Sequence, residues 1–551
     1  MTATLLQLLE SRGGSSTLTL VEEDRRVLLA DLLAESRVTA AGLASLGIAP
    51  GDRVAFVMHN GSGFLRLLFG AQYLGAVPLS IALPFGYGGV DGYVQHVAGI
   101  LADSGAGVLV VDPELKRVRG ALERAIPGVT VLSADALPAG DAGRVPAAPA
   151  DPEQLAYIQY TSGSTASPKG VPVTHGNIVT AVHALASASG STGDDTWGLW
   201  VPLFHDMGIF CLLTALGTGC DAVLWRPRGG VKRPLDWLRR FAAEGCTHTA
   251  APNFFVDALV SAVRAEEPQP EPADLSAWRV WCNGAEQVNA RSIEEFQKTF
   301  GSWGFRPQTM CPVYGMAEAT LTVTFSSAEL EPRLRWVDRE ALADGRFALS
   351  TEGAPNARAL VSVGTPVPDI AVRVCADGAP VPEGHPGEIE ISGPSVMSGY
   401  YRRPAGDERS PDGWHRTGDM GVIADGELYI FGRRKDMIIV RGVNYYAEDA
   451  EAVVRDLPGV ARKACAAIAA EDHMALVVET ALTGEDERAA LIAACHRQLR
   501  ARMGLSAVTV HLAPTRFLPQ TSSGKVQRGK LRSLLDELGD GRGAADPAGA
   551  A

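Results

Sequence analysis

The sequence predicts an α/β protein: a large N-terminal domain of α/β layers with a small β-subdomain, followed by a small α+β C-terminal domain. Two changes of pattern carry this reading. Helix-period apolar stretches alternate with short apolar runs from the start of the chain, as in a largely parallel sheet. After about residue 360 this gives way to period-two alternation rich in Val, Pro and Gly, and a compact mixture of both returns from Lys435.

The elements follow in order. LLADLLAESRVTAAGLASLG reads as a helix stopped at Gly47, DRVAFVMH as a strand, GFLRLLFGAQYLG as a helix and AVPLSIALP as a strand-like run. VQHVAGILADSGAGVLVVD repeats the helix-then-strand unit, and VTVLSADAL adds a strand. TWGLWVPL, DAVLWRP, the helix PLDWLRRFAAEG and WRVWCNGAE continue the same grammar. VSVGTPVPDIAVRVCADGAPVPEGHPGEIEISG predicts hairpins. Beyond it, MIIVRG and ACAAIAAED predict strands, while AEDAEAVVRDLPG and EDERAALIAACHRQLRARMG predict helices. The expected division is 1–434 and 435–538, with a disordered Gly/Ala-rich tail at 539–551.

Composition narrows the function classes. Of 551 residues 46% are hydrophobic and 21% charged, so a large core is available and disorder is excluded. The net charge of −13 argues against a surface that coats nucleic acid. Only eight of the 50 basic residues are Lys, an Arg excess that reflects codon bias. The eight Cys are scattered without a CxxC pair, which predicts buried free thiols rather than a zinc site or disulfides. MTATLLQLLESRGG lacks the basic start of a secretion signal, and the longest uncharged stretch, between Arg66 and Asp91, is broken by Pro and Gly. The expectation is a cytoplasmic protein with no membrane span.

The chemistry-bearing residues begin with YTSGSTASPKG, Tyr160 to Gly170, after the strand-like LAYIQY. Its backbone N–H groups and hydroxyls suit a phosphate chain, with Lys169 as a mobile cation. Pro168 breaks the Walker A pattern, and taken alone the segment reads equally well as a solvated Ser/Gly loop. Five further motifs follow in fixed order: NGAE (Asn283–Glu286), VYGMAEAT (Val313–Thr320), WHRTGDMG (Trp414–Gly421), GRRKDMIIVRG (Gly432–Gly442) and PQTSSGKVQRGKL (Pro519–Leu531).

This ordered set resembles the acyl-adenylate-forming (ANL) superfamily of acyl-CoA synthetases, peptide-synthetase adenylation domains and luciferases, over about residues 10 to 535. The resemblance implies ATP and Mg²⁺ as cofactors and a role for each matching residue. Thr161, Ser162, Gly163, Ser164, Thr165 and Lys169 would hold phosphate, and Gly284, Ala285 and Glu286 would line the adenine side. Tyr314 would stack on adenine within the Tyr314, Gly315, Met316, Ala317 turn, and Glu318 would hold Mg²⁺ as a hard carboxylate ligand. Asp419 would accept the ribose hydroxyls beside Arg433, Lys525 would bridge carboxylate and α-phosphate, and Lys435 would be the hinge of the small domain.

Within the superfamily the chain resembles the fatty acyl-AMP ligases. PLFHDMG, Pro202 to Gly208, matches their HDMG and puts His205 among the catalytic residues. FGSWGFRPQTMCPVYGMAEATL matches their stretch through the Glu318 motif. The interval from Glu318 to Gly364 is 46 residues, about twice that of ordinary CoA ligases, and resembles the insertion that disfavours CoA transfer. The implied product is an acyl-AMP whose acyl group passes to the phosphopantetheine thiol of a carrier protein, supplied in trans because no carrier-like domain follows residue 535. A CoA ligase is the nearest alternative and a non-catalytic nucleotide-binding homologue a further one. Two departures stand out: Ala166 replaces a usual Gly in the phosphate loop, and Ile209, Phe210, Cys211 and Leu212 follow HDMG where small residues are common. Phe210 and Cys211, opposite Pro252, Asn253 and Phe254, would line the acyl pocket, and their bulk predicts a short or medium acid.

Overall fold

Strands Val77–Ser80, Arg53–Val57, Val108–Val111 and Thr130–Ser133 lie side by side in one parallel sheet. Burial on both faces explains why Val108–Val111 is an unbroken apolar run. The structure is a computed structural model describing residues 3–535 apart from 15, 85–86, 88, 146–148, 150, 162–167, 267–269, 355, 405, 472 and 521–525. The expected tail at 539–551 therefore lies outside the described residues.

A second, nine-stranded sheet holds the middle of the chain. Its parallel core runs Met310–Gly315, Val280–Gly284, His248–Pro252, Thr196–Leu199, Asp221–Leu224 and Thr17–Leu20. Antiparallel strands close both edges, Arg25–Leu28 at one and Thr322–Phe325 with Thr365–Pro366 at the other. The predicted helices Leu29–Ser45, Ser62–Tyr73, Val90–Ser104 and Pro234–Ala243 form as expected. Behind Val280–Gly284 an aromatic cluster fills the core, with Trp278 and Trp281 stacked at 5.0 Å and Phe296 edge-on to Trp281 at 5.0 Å. Such a large apolar contact fixes the height at which that strand delivers its C-terminal end.

The Val/Pro/Gly-rich segment forms the predicted hairpins. Ala379–Pro380, Ala371–Ala376, Gly387–Ser392, His415–Ala424 and Glu427–Arg433 make one antiparallel sheet. Past it, the hairpin Met437–Val440/Val443–Tyr446 leads to helix Ala447–Val454 and a three-stranded sheet backed by helix Glu485–Met503. This last part has its own apolar cluster, including Val454, Leu476, Cys495 and Leu499. All eight Cys are buried and free. Among the described residues no helix is long and apolar enough to cross a membrane.

The long interval after Glu318 is an ordered structure, which the sequence did not reveal. Leu334–Asp338 and Ala357–Val361 pair as a two-stranded sheet around the short helix Arg339–Ala343. Val337, Leu342 and Leu360 pack with Tyr429 and Phe431 of the antiparallel sheet and with Tyr446 of the following hairpin. Arg358 is buried there. Its Nη1 lies 2.8 and 2.9 Å from the two carboxylate oxygens of Asp449, and its Nη2 donates to the Phe431 carbonyl at 2.8 Å. A second set of contacts ties down the other flank of the C-terminal part. Asp257 pairs with Arg455 at 2.7 Å and Lys463 at 3.0 Å, and Arg291 pairs with Asp456 at 3.2 Å.

Removing one partner of a buried ion pair strands the other charge, at a cost of about 3 kcal/mol. Arg358→Leu is therefore expected to lower the urea midpoint and to raise hydrogen exchange in residues 437–513. Unchanged exchange there would mean that Arg358 does not hold the two parts together.

Candidate active site

Three groups of side chains converge where the parallel and antiparallel sheets meet. The first is built by register. Strands His415–Ala424 and Glu427–Arg433 place Asp419 directly opposite Arg433. Arg433 Nε lies 2.8 Å from Asp419 Oδ1, and Tyr314 Oη donates to Oδ2 at 2.6 Å. The backbone N–H of Asp419 donates to Thr417 Oγ1 at 3.1 Å. Burial and the Asp419 charge push the Tyr314 hydroxyl well up, so it stays a donor. The same carboxylate raises the Arg433 guanidinium. A buried carboxylate is thus satisfied on both oxygens, as low-dielectric burial requires.

The second group surrounds Glu318. Gly315 ends its strand so close to the Leu321 carbonyl that a Cβ would stand 2.1 Å from the oxygen, so only Gly fits. Thr320 sits at φ +67°, held by its Oγ1 donating to the Ser395 carbonyl at 2.8 Å. Within this turn Glu318 Oε1 accepts from Tyr400 Oη at 2.7 Å, and the Lys169 ammonium lies 4.6 Å above the Tyr400 ring. Burial and Glu318 push the Tyr400 hydroxyl upward. Tyr401 N donates to the Gly170 carbonyl at 2.8 Å and Arg403 to the Pro168 carbonyl at 2.9 Å. Segment 400–403 thereby docks against the strand that carries Lys169. Sequence reasoning missed Tyr400, because a tyrosine in an irregular loop has no periodicity to reveal its partner. It also missed His415, buried beside Glu318, Glu408 and Asp419, whose imidazole burial holds below its ordinary value.

The third group lines a small cavity of about 30 Å³, bounded by Asp206, Met207, Cys211, Cys282, Ala285 and Tyr314 among others. Ala285 takes φ +64° after strand Val280–Gly284, and Glu286 accepts a hydrogen bond from the Phe254 N–H. Asn253 Oδ1 accepts from Asn283 Nδ2 at 3.3 Å and Asn289 N at 3.1 Å, fixing the Pro252–Asn253 corner. His205 Nδ1 and Met207 N contact Asp206 Oδ1 at 2.6 and 2.7 Å, where helix Asp206–Thr218 begins.

Phe210 differs from its expected place. Its ring stands edge-on to Tyr157 at 6.4 Å, while its neighbour Cys211 faces the cavity. Successive helix residues point about 100° apart, so both cannot line one wall. Phe254 is half exposed and edge-on to Trp200 at 6.2 Å.

Of the other expected residues, Thr161 and Lys169 are register partners at the open end of the hairpin Leu155–Thr161/Lys169–Thr174. Ser162, Gly163, Ser164 and Thr165 lie outside the described residues, as does Lys525. Lys435 follows directly on the antiparallel sheet, and burial together with Arg433 lowers its ammonium. Three residues past Lys525, Arg528 meets three carboxylates: Glu451 at 2.7 Å, and Asp436 and Glu448 at 3.4 Å each. Burial raises the Glu448 carboxyl to about 7.

The AMP-binding enzyme family matches residues 12–401. The long-chain-fatty-acid–AMP ligase FadD32 of Mycolicibacterium smegmatis is 32% identical, covering 92% of this chain and 89% of that protein. The medium-chain-fatty-acid–[acyl-carrier-protein] ligase JamA of Moorena producens is 31% identical over 87% of this chain and 85% of its own. A solved structure from work on fatty acyl-adenylate ligases of E. coli and L. pneumophila superposes with a TM-score of 0.91 at 30% identity, covering 97% of this chain and 98% of that one.

A carboxyl whose folded value is raised favours the protonated form, so folding takes up a proton between the ordinary 4.5 and about 7. The C-terminal part is expected to lose stability as pH rises through that window. Glu448→Gln should flatten the dependence, and an unaltered profile of the thermal midpoint between pH 5 and 8 would remove Glu448 as its source.

Proposed function

We propose, for a chain that belongs to the AMP-binding enzymes and within them to the fatty acyl-AMP ligases, that it activates a fatty-type carboxylic acid with ATP and loads it onto a carrier protein. A carboxylate oxygen attacks the α-phosphorus, pyrophosphate leaves, and the sulfur of a phosphopantetheine thiol then displaces AMP from the acyl carbon. The sites assigned below extend this activity to individual residues.

Asp419, held by Tyr314 and Arg433, presents carboxylate oxygens to the two ribose hydroxyls, a geometry that needs acceptors fixed before the nucleotide arrives. Adenine lies against Tyr314 and the Gly284–Ala285–Glu286 turn, with Gly315, Met316 and Ala317 completing its wall. Thr161, the loop through Thr165, and Lys169 meet the phosphates. Glu318 suits Mg²⁺ because its carboxylate is a hard oxygen donor, half-buried and oriented by Tyr400. When bound there, the ion supplies positive charge to the triphosphate. Lys525 enters with its ammonium to join the acid and the α-phosphate at the transition state, and His205 orients the acid beside Asp206. Pro252, Asn253, Phe254 and Cys211 shape the acyl end, and the argument from volume passes from Phe210 to Cys211.

The unit 435–538 turns about Lys435 between adenylation and transfer. The observation that carries the preference for a carrier over free CoA is the ordered segment 334–361, packed against Phe431, Tyr446 and Asp449. Contacts made in one arrangement bias the equilibrium toward it, and a few kcal/mol make the other rare. A docked carrier offsets such a bias with interface contacts.

Enzyme, ATP and a panel of acids are to be followed by pyrophosphate exchange and then given CoA or a phosphopantetheinylated carrier. Accumulated acyl-AMP, carrier loading and slow CoA turnover are expected; rapid acyl-CoA formation would make the chain a CoA ligase. Lys525→Ala should lose about 10²-fold or more in exchange while still binding ATP. Asp419→Ala should in addition raise the KM for ATP. Near-normal exchange by the Lys525 variant would sink its assignment.

A further inference from the structure

One stretch departs sharply from the acidity of the rest. Between residues 226 and 240 six basic residues stand against Asp236 alone, in a chain of net charge −13. Three of the six are engaged. Arg226 pairs with Glu114 at 2.8 Å, Arg239 with Glu266 at 3.3 Å, and Arg240 with Glu244 at 3.2 Å. Among the described residues no ion pair holds Arg228 or Lys232, both exposed, and Arg233 is 80% exposed with only a 3.9 Å approach to Asp236. Val231, 47% exposed, lies between them. The three free cations and this one apolar side chain occupy the short helix Pro227–Lys232 and the residue after it.

The patch adjoins the active site through a continuous set of contacts. Gly230 packs on the Trp200 indole, where a Cβ would stand 3.2 Å from the ring. Trp200 is edge-on to Phe254, and the Phe254 N–H donates to Glu286 beside the cavity-lining Ala285. A macromolecule seated on Pro227–Lys232 thus stands beside the rim that leads to the acyl cavity.

We propose that Arg228, Lys232 and Arg233 around Val231 form the surface on which the carrier protein docks, an inference that rests on the carrier-loading reading above. The chemistry recognised is an acidic helix face together with the phosphodiester that joins the phosphopantetheine arm to the carrier. Charge complementarity selects this occupant. An acidic partner is repelled by most of a −13 surface, so the one free cationic patch beside the site mouth steers its approach and fixes its orientation. Val231 supplies the single apolar contact that a small transient interface places at its centre. A membrane is the poorer match, because a six-residue helix with one exposed apolar side chain has no face to insert.

The test is the triple variant Arg228→Glu, Lys232→Glu, Arg233→Glu in the full chain, assayed with its best acid. Acid-dependent pyrophosphate exchange should be unchanged, since none of the three touches the adenylation machinery. The KM for a phosphopantetheinylated acyl carrier protein should rise about tenfold or more, with little change in kcat. Transfer to free pantetheine should be unaffected. Added salt should raise the wild-type KM and leave the variant's nearly flat, and Arg228→Lys, Arg233→Lys should behave as wild type. If the wild type loads carrier and the triple variant loads it with the same KM, the patch is not the docking surface. Wild-type exchange with no loading of any carrier overturns both this inference and the reading beneath it. Charge-dependent sedimentation with phosphatidylglycerol vesicles, with carrier KM unmoved, reassigns the patch to a lipid surface.

Discussion

The carboxylate of Asp419 joins two sheets that have no strand pairing with each other. Tyr314 ends a strand of the nine-stranded sheet, whereas Asp419 and Arg433 are partners inside the antiparallel one. An ionised carboxylate with little access to water must find donors in the protein, and those available come from both layers. Their mutual approach is thereby set to within hydrogen-bond tolerance. Glu318, five residues past Asp419's partner Tyr314 by way of Gly315 and Thr320, inherits its position from the same junction, and Tyr400 and Lys169 follow from Glu318.

Buried strands and amphipathic helices were legible in the sequence because their periodicity is local. VLVV and WRVWCNGAE fall where the patterns place them, and Gly504 ends its long helix in the left-handed conformation. Strand order was not legible. It depends on crossovers that bring Thr17–Leu20 beside Asp221–Leu224, some two hundred residues on, and no local pattern records that pairing. The site divides in the same way. Asp419, Arg433 and Tyr314 sit together where the motifs place them, but Ala285 at positive φ is invisible in a residue type that disfavours it. Phe210 was misplaced for a geometric reason: naming two adjacent helical residues as one wall ignores the turn between them. The strand pair after Glu318 was legible only as excess length, because LRWVD and ARALV carry no clean alternation to announce a sheet.

The C-terminal part is held from two sides by interactions of different physical kind. On one flank Val337, Leu342 and Leu360 bury apolar surface, and Arg358 meets Asp449 out of solvent. On the other, Arg455 and Lys463 reach Asp257 across a partly solvated boundary, and the Arg291 end of its pair with Asp456 is open to water. The first flank is insulated from ions in solution; the second is not.

That asymmetry makes the molecule a lever with one fixed and one adjustable support. Dissolved ions loosen the Asp257 side while leaving the Arg358 side in place, so a partial opening pivots on the inserted strands instead of releasing the whole unit. The interior electrolyte of the cell then sets the resting angle of the lever continuously, and two enzymes with identical active sites but different residues at 257 and 455 would rest at different angles.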